Sequence, residues 1–243
     1  MNNAFLPWLL LAVLLGSAPA LQAQGAAMVL GEEISMAELA AAGDEAAQTA
    51  RLRDRVLASL IGRYVAERKL GATPAEIAEL LAYNREFDRR DRLQRTRKLA
   101  ELNERLAREG LGGDERTWLE EFRAVLIRLA KLDAENDRGL PADPQEEATF
   151  YAPWVEWWKT NKALHEEYGG TVARTQAGPY AQGARATLVA DCERRGLVKF
   201  LDPRMRNRLF ELLAEPPAVV VPPEEVDFTP YWKRPIPPSY FPD

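Results

Sequence analysis

The chain is poor in the side chains that most enzymes work with. Its 243 residues hold one histidine, His165, and one cysteine, Cys192. Beyond residue 23, serine occurs only as Ser35, Ser59 and Ser239. A metal centre usually draws on several His or Cys ligands, and His165 has no second one near it. Glu166 and Glu167 follow it but face other sides of a helix. His165 therefore reads as a helix-end residue favoured by the dipole. Ser35 and Ser59 lack a Gly-x-Ser-x-Gly setting, which argues against a serine hydrolase. Cys192 stands between Asp191 and Glu193, without the positive surroundings that activate a thiolate, and reads as a packed side chain. A lone cysteine forms no internal disulfide, so the core must hold the fold. Gly169-Gly170 and Gly178-Pro179 are too sparse for a phosphate loop. Positive charge is not in excess: the net charge is -5, and nothing global points to nucleic acid. No cofactor is expected. Carboxylates are abundant, yet no pair stands out from helix-surface charge.

Long apolar runs are also scarce. The one at Ala4–Gly16 falls short of the ~20 residues of a comfortable membrane span. Ser17, Ala18, Ala20 and Ala23 follow it, the layout of a secretory signal peptide over residues 1–23. The preceding Met-Asn-Asn has no Lys or Arg, so an uncleaved N-terminal anchor is the alternative. The expectation is an exported, periplasmic protein with no stable membrane span after cleavage.

What is present is helix-forming. Arg51–Leu70 carries Leu52, Val56, Leu60, Ile61, Tyr64 and Val65 at steps of three and four, one face of a helix. Gly71 is expected to supply the left-handed residue that closes it. Thr73, Pro74 and Glu76 then form an N-cap, a first helical residue and a capping box. The second helix carries Ile77, Leu80, Leu81 and Phe87, then crosses Arg85–Lys98 with seven basic and three acidic side chains. That run reads as a solvated face with i,i+4 pairs such as Glu86–Arg90 and Asp88–Arg92. One helix of ~50 Å or two helices broken near Asp88–Asp91 both fit. Upstream, Met28–Leu30 is a strand candidate and Ser35 a cap for a short helix. Downstream, Gly112-Gly113 restarts a helix whose stripe is Trp118, Phe122, Val125, Leu126 and Leu129.

Arg138–Pro144 holds two prolines and marks a domain boundary. Beyond it, Glu146–Tyr168 is an aromatic helix whose Trp154, Trp157 and Trp158 read as core. Thr171–Thr175 and Val198–Leu201 are strand candidates flanking a helix, which could pair in parallel through a right-handed crossover. Asp202 with Pro203 caps a last helix. From Pro216 onward the final 28 residues hold nine prolines, the mark of an extended, PPII-like tail. Its Phe228, Tyr231, Trp232, Tyr240 and Phe241 could clip it onto its own domain or engage a partner.

The ordered pieces resemble a known family. Val29, Gly31 and Ile34, then Leu60-Ile61, Thr73 to Glu76, Arg105-Leu106-Ala107, Gly110-Leu111 and Phe122-Arg123 are similar, in order, to the N-terminal chaperone domain of SurA-type periplasmic folding factors. The resemblance covers Met28–Asn136. In that family the domain leads into parvulin-type prolyl isomerase domains, and no parvulin pattern is present here. The expected fold is thus mainly α: a helical domain over 28–137, a small α-rich domain over 145–214 with two short strand candidates, and a Pro-rich tail over 215–243.

The resemblance implies non-covalent binding of unfolded or extended polypeptide clients. An apolar groove between helices would take client segments. Tyr64, Phe87, Trp118 and Phe122 are its candidate client-binding residues, and no catalytic residue is expected. Two alternatives stand beside it. One is a prolyl isomerase, implied by family company alone. The other is an envelope adaptor that engages a partner through the Pro-rich tail.

Overall fold

A computed structural model describes residues 25–137 and 143–237. The expected signal peptide, most of the inter-domain loop and the last residues of the tail lie outside the described residues. The chain is mainly α-helical, with seven α-helices among the described residues.

Two strands open it, β1 (Gly25–Val29) and β2 (Glu32–Ser35). Val29 pairs with Glu32, leaving Leu30-Gly31 as the turn. Both turn residues have positive φ, 52° and 89°, the geometry that matches the twist of a tight hairpin. Ser35 caps α1 (Met36–Ala40), its side chain accepting from the Glu38 amide. Asp44 caps α2 (Glu45–Arg68). The left-handed residue that closes α2 is Lys69, φ 54°, and not Gly71. The amides of Lys69 and Leu70 donate to Ala66 and Val65, a paired closure that the helix completes before the glycine is reached.

The expected capping box is present. Thr73 and Glu76 exchange hydrogen bonds at the start of α3 (Pro74–Leu106). This helix runs 33 residues without a break, so the continuous alternative holds and no interruption occurs at Asp88–Asp91. Next come α4 (Gly113–Asp137), α5 (Pro144–Tyr168), α6 (Gln182–Arg194) and α7 (Pro203–Ala214), the last capped by Asp202.

The strands behave differently from the expectation. β3 (Val172–Thr175) forms a hairpin with β4 (Gly178–Tyr180) and also pairs with β6 (Val220–Val221) of the tail. β5 (Val198–Phe200) pairs antiparallel with β1. The two strands flanking α6 therefore sit in separate sheets, β4-β3-β6 and β2-β1-β5, and are not joined by a parallel crossover. The turn explains the first choice. Gly178 adopts φ 130° and its carbonyl accepts from the Thr175 hydroxyl at 2.7 Å, folding the chain straight back. The open edge of β1 explains the second.

Because β5 completes the sheet begun by β1, segments 28–137 and 145–214 share that sheet and a core. Leu52, Val56 and Leu60 of α2 pack with Leu188 and Val189 of α6, Leu209 of α7 and Val198 of β5. At the α5–α6 junction Gly183 lies so close to Gly170 that a Cβ on it would stand 2.4 Å from the Thr171 amide nitrogen. Gly170 thus serves close packing, whereas Gly169, φ 62°, has open space around it and closes α5. A polar hub lies nearby. Asn161, 1 % exposed, accepts from the Ala181 amide at 3.0 Å and from Arg185 at 3.2 Å, and donates to the Trp157 carbonyl at 2.8 Å. Arg185, also buried, stacks on Tyr180, and burial lowers its pKa.

The tail is clipped onto the body. Trp232 is buried against Trp158, ring centroids 5.7 Å apart, in a second core with Ile77, Leu80 and Val155. A third, small core of Leu102, Leu119 and Leu126 joins the far half of α3 to α4.

Candidate functional site

Helices α3 and α4 make an antiparallel arm, and its construction begins with charge. The basic run of α3 does more than solvate a face. Arg92 reaches across to Asp137 at 2.8 Å, and Arg95 to Asp133 at 3.0 Å. Glu86 pairs with Arg90 as expected, at 2.7 Å, and also with Arg89. Those two guanidinium groups, Arg89 first, hold the Glu86 carboxyl down at about 2. The expected Asp88–Arg92 bond is replaced, because α4 places two carboxylates within reach of Arg92.

Leu119 and Leu126, both buried, face α3 with the half-buried Phe122 beside them. Four other apolar residues of α4 are exposed, two of them one position before these leucines. Trp118 is 57 % exposed, Val125 48 %, Leu129 36 % and Leu132 47 %. With Phe122 these four repeat at steps of four and three, so they form one row along α4. A helix needs an apolar arc of about 100° to pack on a neighbour. The arc of α4 is wider than α3 covers, and the surplus is this row. Trp118 and Phe122 stack along it with ring centroids 5.6 Å apart. Glu121 and Arg128 line its solvent side and are exposed.

A second apolar feature lies at the root of the arm. Tyr83, Asn84 and Phe87 of α3 face Tyr231, Arg234, Pro235 and Pro237 of the tail across a groove of about 890 Å³. Tyr83 and Tyr231 meet edge to face at 5.3 Å. A second cavity, about 670 Å³, lies between α5 and the tail. Trp158, Lys159, His165, Asp227, Phe228 and Trp232 are among the residues that line it. His165 sits in the last turn of α5 with its ring 5.2 Å from Phe228.

The four candidate client-binding residues fall in three places. Tyr64 is buried in the main core. Its hydroxyl donates to Glu167 at 2.8 Å, and Arg68 lies over its ring. Burial, and then the Glu167 carboxylate, push its pKa well above the ordinary tyrosine range. Phe87 lines the groove at the root. Trp118 and Phe122 belong to the exposed row. Sequence periodicity alone merged Leu126 with Val125 and Leu129 into a single stripe. The readable signal was the second, offset spacing of Leu119 and Leu126. Tyr231, Pro235 and Pro237 could not be placed beside Phe87 from sequence, because nothing local specifies where a tail returns.

Burial raises the pKa of the Cys192 thiol, so it is held protonated. Among the described residues no group of three or more His, Cys, Asp or Glu is arranged to hold a metal ion. No described helix is long and apolar enough to cross a membrane. No family model, curated protein sequence or solved structure matches the chain.

Proposed function

We propose that the protein is a chaperone-like binder of unfolded or extended polypeptide, working without covalent chemistry, with the exposed row of α4 as its principal contact. The observation that carries this reading is the row itself: Trp118, Phe122, Val125, Leu129 and Leu132 stand along one line on an arm, beside a face already packed. Contiguous exposed apolar surface of this kind marks an interaction site. Each client side chain laid on it gains roughly 25 cal/mol per Å² of apolar surface buried. A flat row without a deep pocket gives many weak contacts and fast exchange. The exposed charges beside the row keep the arm, and a client on it, in solution. The apolar run at Ala4–Gly16 with small residues after it supports action outside the cytoplasm.

The test is aggregation of a chemically unfolded, reduced model protein, followed by light scattering with increasing amounts of the purified protein. Suppression is expected, and the doubly substituted Trp118→Ser, Leu129→Ser protein should lose most of it. Unchanged client scattering at several-fold molar excess of the unsubstituted protein would end the proposal.

A further inference from the structure

The row on α4 has a property that client binding does not require. Its members fall at positions 118, 122, 125, 129 and 132, the alternating four-three spacing of a coiled-coil seam. The seam spans ~21 Å at 1.5 Å per residue. Irregular clients need apolar surface but no such register. A second helix with the same register does.

We propose that, without a client, this row is covered by the same row of a second copy, the two α4 helices packing antiparallel across a two-fold axis. The pairing closes a four-helix bundle from two α3–α4 arms. It rests on the reading of this row as a docking surface and names the occupant that clients must displace.

Charge selects the copy and its orientation. On the flank of the row away from α3 stand Glu121, Arg128 and Glu135, seven residues apart and alternating in sign. Glu121 and Arg128 are exposed and form no ion pair among the described residues. A two-fold axis beside Phe122 and Val125 sets Phe122 against the second copy's Val125, and Trp118 against the second copy's Leu129. In that register Glu121 meets the second copy's Arg128, and symmetry repeats the pair. Helical side chains lean toward their own N-terminus, so in an antiparallel pair these two lean toward each other. Moving the register one heptad one way brings Arg128 against the second copy's Arg128, which repels; moving it the other way brings Glu121 against Glu121 and takes Val125 and Leu129 off the second copy's row. A parallel pairing would set this charged flank beside the second copy's Leu119 and Leu126 flank, which is already packed on α3, and Glu121 would not reach Arg128. The surface is therefore complementary to itself in one arrangement. A single-helix seam lies near the ~1,000 Å² floor for a specific interface, so the pairing is reversible and open to competition.

Sedimentation equilibrium of the purified protein without client tests this. The unsubstituted protein should move from one chain mass toward two as concentration rises. Arg128→Glu should weaken self-association by about tenfold, since two attractive pairs become repulsive, and Glu121→Arg should do the same. The double swap Glu121→Arg, Arg128→Glu should restore it. Both positions are exposed, and far-ultraviolet circular dichroism reports that each variant keeps its helices. A single-chain mass up to ~200 μM, an unchanged dimer in both single variants, or a double swap that stays monomeric would each overturn the proposal. The mass is read without client, so its outcome is independent of the aggregation assay.

Discussion

Residues 118 and 119 are neighbours with opposite roles, and substituting them separately gives opposite results. Leu119 is fully buried, one of three leucines in the small core that fastens α4 to α3. Leu119→Ala removes its contacts and leaves a cavity, which costs about 2–5 kcal/mol. Trp118 is more than half exposed and its described ring contact is with Phe122. Trp118→Ala costs about 0.5–1 kcal/mol, the worth of one aromatic pair and little burial. The location of the loss also follows. The Leu102–Leu119–Leu126 core is separate from the cores of the body, so the arm opens on its own when it is weakened. Hydrogen exchange read by mass spectrometry should show Leu119→Ala raising exchange over 113–137 while β1 and β5 keep their protection. Trp118→Ala should leave both regions near the unsubstituted pattern. Equal exchange in the two variants, or loss of protection in β1 and β5 with Leu119→Ala, would refute the division of α4 into a packed and an exposed face.

Three further outcomes follow from the body. Asn161→Ala strips partners from the buried Ala181 amide and from Arg185 and should cost about 2–4 kcal/mol, read as a lowered urea midpoint. Trp232→Ala empties the site against Trp158 and should cost about 3–5 kcal/mol, releasing the tail to limited proteolysis before the α2–α7 core yields. The folded protein raises the pKa of Tyr64 and holds Tyr168 up to about 12, in both cases chiefly through burial and then through Glu167. Raised folded values mean stability that is full below the ordinary tyrosine range, near 10, and lost progressively as pH rises from there through the raised folded values. Urea midpoints should therefore fall above pH ~10, and the Tyr64→Phe, Tyr168→Phe double variant should flatten that fall.

Helix starts were legible because they are local. Ser35, Thr73 with Glu76, and Asp202 each cap a helix with a side chain a few residues from the amide it serves. Helix ends were less so: α2 closes at Lys69 although Gly71 lies two residues on, because a long side chain can enter the left-handed region when the next amides find carbonyls. Strand partners were not legible. Val198–Phe200 is three residues long and carries no pattern that says it will join β1, far away in sequence, instead of β3. The candidate site was half legible. The apolar content of α4 was plain, but its division into two faces depends on how much of the arc α3 covers, which is a tertiary fact. Tyr64 shows the opposite failure. Its spacing with Leu60 marked an apolar face, and an apolar face is read first as core, which is where it lies.

In the function proposed above, the exposed row of α4, and not exposed apolar surface in general, receives the client. Val125 and Ile127 provide the comparison, since they are 48 % and 46 % exposed but two residues apart, on opposite sides of the helix. A photo-crosslinking residue placed at each position in turn, illuminated with an unfolded client and read by mass, measures the difference directly. Client adducts are expected from position 125, and few or none from position 127. Equal adducts from both positions would contradict it.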